Sequence, residues 1–134
     1  MKRKRDPFTL TAREPGPRNE HTLKTDVDAW LRGQTDDVWY VKIHGGIHQR
    51  AGVADYLLCV AGLFLWLELK HPTERERLSE KQTRDALWVQ RAGGVTAVAR
   101  SVDEVASIVG HLRERALLLD PEIRRLIRSM STTD

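Results

Sequence analysis

The stretch DYLLCVAGLFLWLELK, Asp55 to Lys70, decides how this chain folds. Two apolar, strand-forming runs, Asp55 to Val60 and Leu63 to Lys70, are separated only by Ala61-Gly62, the spacing of a two-residue β-hairpin loop. With the turn centred on that pair, Val60 faces Leu63, Cys59 faces Phe64 and Leu57 faces Trp66, and Asp55 falls opposite Glu68. Side chains alternate along a strand. One face therefore carries Asp55, Leu57, Cys59, Phe64, Trp66, Glu68 and Lys70, and the other Tyr56, Leu58, Val60, Leu63, Leu65, Leu67 and Leu69. Both faces are apolar for most of their length, so both are expected to lie under other elements.

The polar exceptions carry the chemistry. Directly opposed residues have Cβ atoms about 4.5–5.5 Å apart, where like charges repel. Two carboxylates held there need a proton on one of them, hence a raised pKa, or a hard divalent cation that takes oxygen ligands. Lys70 adds a positive charge that a pure metal site does not require. An acid pair with a lysine suits phosphoryl chemistry, in which an ion polarises the phosphate and activates water while the ammonium stabilises developing charge. A lone E-x-K is equally an ordinary strand-end ion pair; the matched register of Asp55 favours the site. Glu20, three residues before Leu23 and seven before Val27, puts a third carboxylate on the apolar stripe of the first helix. An acid there is paired, ligates a metal, or is simply favoured by the helix dipole.

Outward from the hairpin, residues 1–17 carry Pro7, Pro15, Gly16 and Pro17 without periodicity and read as a flexible basic lead-in. Asn19 is a helix N-cap, followed by Leu23, Val27, Trp30 and Leu31 at helical spacing up to Gly33. Val38 to Ile43 is a short strand running into Gly45-Gly46. His71-Pro72 ends the hairpin, and Ser79 with Gln82 forms a capping box for a helix reaching Gly93-Gly94. Val95 to Ala99 is another strand. Ser101 and Glu104 form a second box before a helix striped by Val102, Val105, Val109 and Leu112, and Asp120-Pro121 opens a last one. The order α-β-β-β-α-β-α-α predicts an α/β fold: a mixed sheet, antiparallel meander plus parallel crossover strand, flanked by helices.

Size and composition fit one domain over residues 18–118, with an amphipathic C-terminal helix and tail over 119–134. The single Cys59 excludes an internal disulfide, and no Cys/His cluster has zinc spacing, which suits a reducing compartment. MKRKRDPF has no apolar run behind it and is no secretory signal; Tyr56 to Leu67 is too short to span a bilayer. A cytoplasmic protein is expected. Lys2, Arg3, Lys4 and Arg5 outweigh the whole net charge of +3. Such a tail holds nucleic acid through phosphates or is a solvated end, and charge alone does not decide between them.

These residues in this order resemble the PD-(D/E)xK nuclease superfamily, and specifically its VRR-NUC branch. The likeness rests on Glu20, Lys42-Ile43-His44-Gly45, Gly52-Val53-Ala54-Asp55, Leu67-Glu68-Leu69-Lys70, Leu78-Ser79 with Gln82, and Gly93-Gly94. It covers residues 18 to 110 and implies a restriction-endonuclease-like α-β-β-β-α-β core. It also implies that Glu20, Asp55 and Glu68 bind Mg²⁺ or Mn²⁺, with the Leu69 carbonyl as a further ligand. Lys70 would position or activate the attacking water, Gln82 would lie beside the site, and in-line attack would leave a 5′-phosphate. The family usually has proline where Ala54 stands, which would leave Asp55 less stiffly held. Stand-alone members are similar in being small, often phage-borne and dimeric, and in cutting branched DNA such as four-way (Holliday) junctions.

The implied partner is therefore DNA, and the implied assembly a homodimer. Lys42, His44, His48, Gln49, Arg50 and Lys81 are the candidate DNA contacts, with Arg75, Arg77 and Arg84 behind them. The last helix, with Ile123, Leu126 and Ile127 on one side, either caps the core or joins two subunits. Two further readings stay open: a nuclease-like fold that binds nucleic acid without cutting it, and a single-strand or sequence-specific nuclease.

Overall fold

The computed structural model describes residues 19–44, 51–75, 77–119 and 121–131. Its elements run α1 (Glu20–Arg32), β1 (Val38–Lys42), β2 (Tyr56–Val60), β3 (Leu63–Leu69), α2 (Glu80–Arg91), β4 (Val95–Ala99), α3 (Val102–Leu117) and α4 (Pro121–Ser131), the order expected. The 1–17 lead-in, Gly45-Gly46 and Asp120 lie outside the described residues.

β2 and β3 pair antiparallel from Val60 with Leu63 to Tyr56 with Leu67, the expected register. Ala61 and Gly62 sit at φ 49° and 90°. Positive φ at both central positions is the type I′ pattern, whose twist matches that of the strands. β1 adds antiparallel to β2 and β4 adds parallel to β3, giving a mixed sheet in the order β1-β2-β3-β4. α2 makes the crossover that the parallel pair requires.

Asn19 with Thr22 and Ser79 with Gln82 close capping boxes on α1 and α2. The second expected box differs. Ser101 accepts from the Glu104 amide at 3.1 Å, but the Glu104 carboxylate accepts from the Arg100 amide at 2.6 Å rather than from Ser101. The side chain reaches one residue further back and still satisfies a backbone donor.

One sheet face holds the main core. Tyr56, Leu58, Val60, Leu65, Leu67 and Leu69 pack against Leu23, Val27 and Leu31 of α1 and Val105, Val109 and Leu112 of α3, each no more than 2% exposed. Burying each such aliphatic side chain contributes roughly 1.5–3 kcal/mol. On the opposite face Trp66 packs with Ala54 and with Ala86 of α2, and its indole N–H donates to Asp85 at 2.9 Å.

Cover on this second face is incomplete, contrary to the expectation. Trp39, Val41 and Phe64 remain 62%, 38% and 42% exposed. A single helix about 10 Å across covers about two strands spaced about 4.8 Å apart, so α2 leaves the β1 edge bare. Nor do the described apolar side chains of α4 cap the core, for Leu126 and Met130 are 60% and 71% exposed. Among the described residues no helix is long and apolar enough to cross a membrane.

Candidate metal centre

At the end of the sheet where β2 begins and β3 stops, three elements converge. Glu20 opens α1, Asp55 immediately precedes β2, and Glu68 is the penultimate residue of β3. One carboxylate oxygen from each lies within 4.8 Å of the others. Oxygen ligands stand about 2.0–2.6 Å from Mg²⁺ or Ca²⁺, so opposed pairs around one ion are about 4–5 Å apart. The cluster has that size.

The backbone locks Asp55 from two sides. Its Oδ2 accepts from the Leu69 amide at 2.8 Å, and its carbonyl accepts from the Ile43 amide at 2.8 Å. Leu69 thus meets the cluster through its amide. Upstream, Gly52 has φ +89°, and a Cβ there would stand 2.6 Å from the Lys81 carbonyl oxygen. The chain passes so close to the first turn of α2 that a side chain has no room. Ala54, where the sequence resemblance would put a proline, is 1% exposed and packs on Trp66 and Ala86. Burial and the two backbone bonds hold Asp55 without the proline ring.

Glu68 is 4% exposed, and its Oε2 is buried without a hydrogen-bond partner. Burial, then the hydrogen bond and charge of Asp55, push its carboxyl up to about 8, with Lys70 opposing. A proton between the two acids relieves that repulsion in the metal-free chain. An all-oxygen donor set with an orphaned buried oxygen equally fits a hard divalent cation.

Lys70 follows β3, its amide donating to the Ala99 carbonyl at 3.0 Å. Its ammonium donates to Gln82 Oε1 at 3.2 Å, and the same oxygen accepts from the Ser79 amide at 3.1 Å. Gln82 therefore caps α2 and faces the site at once. Sequence reasoning missed Lys24, whose Nζ lies 3.2 Å from Asp55 Oδ1. Burial would lower its pKa, but the charge and hydrogen bond of Asp55 outweigh that and raise it. The spacing Glu20–Lys24, one helical turn, was the available signal.

The candidate DNA contacts divide. Lys42 is engaged, its ammonium donating to Asp28 Oδ2 at 2.8 Å, while the Tyr56 hydroxyl donates to Oδ1. Burial opposes ionisation of Asp28, but these bonds hold its carboxyl below the usual range. His44 and Lys81 are exposed; His48, Gln49 and Arg50 lie outside the described residues. Lys81 and Arg84 line a cleft of about 250 Å³ with Ala51, Asp85 and Trp88, beside the Gly52 approach to Asp55. A larger cleft of about 600 Å³, walled by Arg77, Val98 and Ile108, contains none of the three acids.

No family model matches the chain, and no curated protein matches it. A solved structure described as a VRR_NUC domain protein superposes with a TM-score of 0.55, at 18% identity, over 72% of this chain and 88% of that one. The fold is VRR-NUC-like, as the sequence motifs implied.

Proposed function

We propose that the chain is a divalent-metal-dependent DNA endonuclease that hydrolyses phosphodiester bonds, with Glu20, Asp55 and Glu68 holding Mg²⁺ or Mn²⁺. The observation that carries this reading is the meeting of three carboxylates from three elements, one of them a buried glutamate with an unpartnered oxygen.

When bound, the ion supplies Lewis-acid activation of phosphate and water. The chain's own residues do the rest. Asp55, pinned by the Leu69 amide, sets the geometry of the site, and the Leu69 carbonyl would add a further oxygen ligand. Lys70 orients the attacking water and stabilises the charge that develops on the phosphate, at an ammonium steered by Gln82. Exposed His44, Lys81 and Arg84 offer phosphate contacts on either side of the Asp55 approach. Preference for branched DNA and assembly as a homodimer belong to the same reading. The exposed Leu117, Leu118, Leu126 and Met130 at and after the end of α3 support the dimer.

Cleavage of duplex, single-stranded, flapped and four-way-junction DNA with Mg²⁺, Mn²⁺ or EDTA tests the reading, alongside sedimentation to count subunits. Metal-dependent cutting, fastest on the junction and abolished by Glu68→Ala or Lys70→Ala in folded protein, is expected. Activity that survives both substitutions removes the mechanism, and binding without cutting under every metal makes the chain a nucleic-acid-binding protein instead.

A further inference from the structure

We propose that Lys24 is a built-in counter-ion of the carboxylate cluster, which a divalent cation must displace from Asp55 in order to bind. The inference rests on the metal site proposed above and assigns a positioning role to a residue outside it. Asp55 Oδ2 is already taken by the Leu69 amide at 2.8 Å, so an incoming cation gains most at Oδ1. That is the atom Lys24 holds, at 3.2 Å. Glu20, Asp55 and Glu68 gather within 4.8 Å of one another, and their mutual repulsion needs positive charge nearby.

The two lysines beside the carboxylates differ in how they are held. The Lys70 ammonium donates to a neutral carboxamide on α2, an anchor that metal binding leaves intact. Lys24 sits on α1 one turn after Glu20, and its ion pair is with a proposed ligand itself. A third of its side chain is exposed, so the flexible stem can swing the ammonium to water or to a DNA phosphate when a cation takes its place. Lys24 thus steadies the metal-free cluster and weakens its grip on metal.

Calorimetric titration of the full chain with Mn²⁺, in wild-type, Lys24→Met, Lys24→Arg and Asp55→Asn forms, tests this, with thermal unfolding in EDTA beside it. Lys24→Met keeps the stem and removes the charge; it should bind Mn²⁺ about tenfold more tightly than wild-type. Its unfolding temperature should fall in EDTA and rise further than that of wild-type on adding Mn²⁺. Lys24→Arg, which restores the ion pair, should return to near wild-type affinity, and supplies the comparison if the methionine variant does not fold. Mn²⁺ affinity in Lys24→Met equal to or weaker than wild-type, with wild-type binding intact, overturns the role of Lys24 alone. Wild-type that binds no Mn²⁺, indistinguishable from Asp55→Asn, overturns the metal site and this inference together.

Discussion

Gln82 takes the Lys70 ammonium and the Ser79 amide on one carboxamide oxygen, at 3.2 Å and 3.1 Å. A helix cap and a candidate catalytic lysine are thereby tied to the same atom. Gln82→Ala should cost roughly 0.5–1 kcal/mol of stability through the lost cap. It should also lower the cleavage rate about tenfold or more, measured well below the unfolding temperature, because Lys70 loses its steering contact. Gln82→Glu keeps an acceptor for both donors and should restore the cap. If both variants cut as fast as wild-type, the contact to Lys70 is structural only.

Glu68 should give metal-free stability and the proposed metal binding pH dependences of opposite sign. Its folded pKa of about 8 lies above the ordinary 4.5, so the folded state holds the proton more tightly than the unfolded one. The stabilisation this gives is complete at acid pH and disappears as pH rises through about 8. Metal binding needs the carboxylate, so affinity and cleavage should instead climb toward pH 8, with about one proton released per ion bound. Urea unfolding in EDTA across roughly pH 5 to 9 checks the first statement against Glu68→Gln, which should lose less stability toward the alkaline end. A wild-type chain that gains on Glu68→Gln as pH rises contradicts the sign.

Much of this arrangement was legible in the chain because strands encode it locally. The Ala61-Gly62 turn between two apolar runs fixes the register, and the register, extended one pair beyond Tyr56 and Leu67, puts Asp55 across from Glu68. Caps at Asn19, Ser79 and Ser101 were legible for the same reason, being set by residues three apart. Lys24 was not, since its spacing from Glu20 puts a lysine one turn from a candidate ligand but does not say that Asp55, on another element, takes its charge. The engagement of Lys42 was hidden too: Asp28, which also accepts from the Tyr56 hydroxyl, comes to it from another element. The bare β1 edge follows from how many strands one helix can cover, a count that hydrophobic alternation does not carry.

Gly52 is constrained twice, by its φ of +89° and by the Lys81 carbonyl 2.6 Å from where a Cβ would stand. Gly52→Ala should destabilise the chain by roughly 2–4 kcal/mol and displace the approach to Asp55, weakening Mn²⁺ binding. Gly62 is the control. Its φ is +90°, but nothing lies within 4 Å of a Cβ there, so Gly62→Ala should cost only about 1–2 kcal/mol and leave Mn²⁺ affinity alone. Urea unfolding and calorimetry on the pair separate backbone strain from steric conflict; equal losses in both variants would show that the close approach to α2 contributes nothing.

Ala61 occupies the left-handed region at φ 49°, where an alanine side chain crowds the following carbonyl. Its amide donates to the Asp37 carbonyl at 2.7 Å, a bond any residue but proline retains. Asparagine tolerates this conformation and makes the Asn-Gly pair that type I′ turns favour, so Ala61→Asn should stabilise the chain by about 0.5–1 kcal/mol. Ala61→Gly should gain less, because glycine relieves the crowding but also frees the unfolded chain. Ala61→Val, β-branched, should lose stability. Unfolding temperatures in the order Asn, Gly, Ala, Val would establish the left-handed turn that sets the hairpin register, and Mn²⁺ affinity should stay constant across wild-type, Ala61→Asn and Ala61→Gly, which do not disturb it. The reverse order would mean that the turn, and with it the alignment of Asp55 and Glu68, has been misassigned.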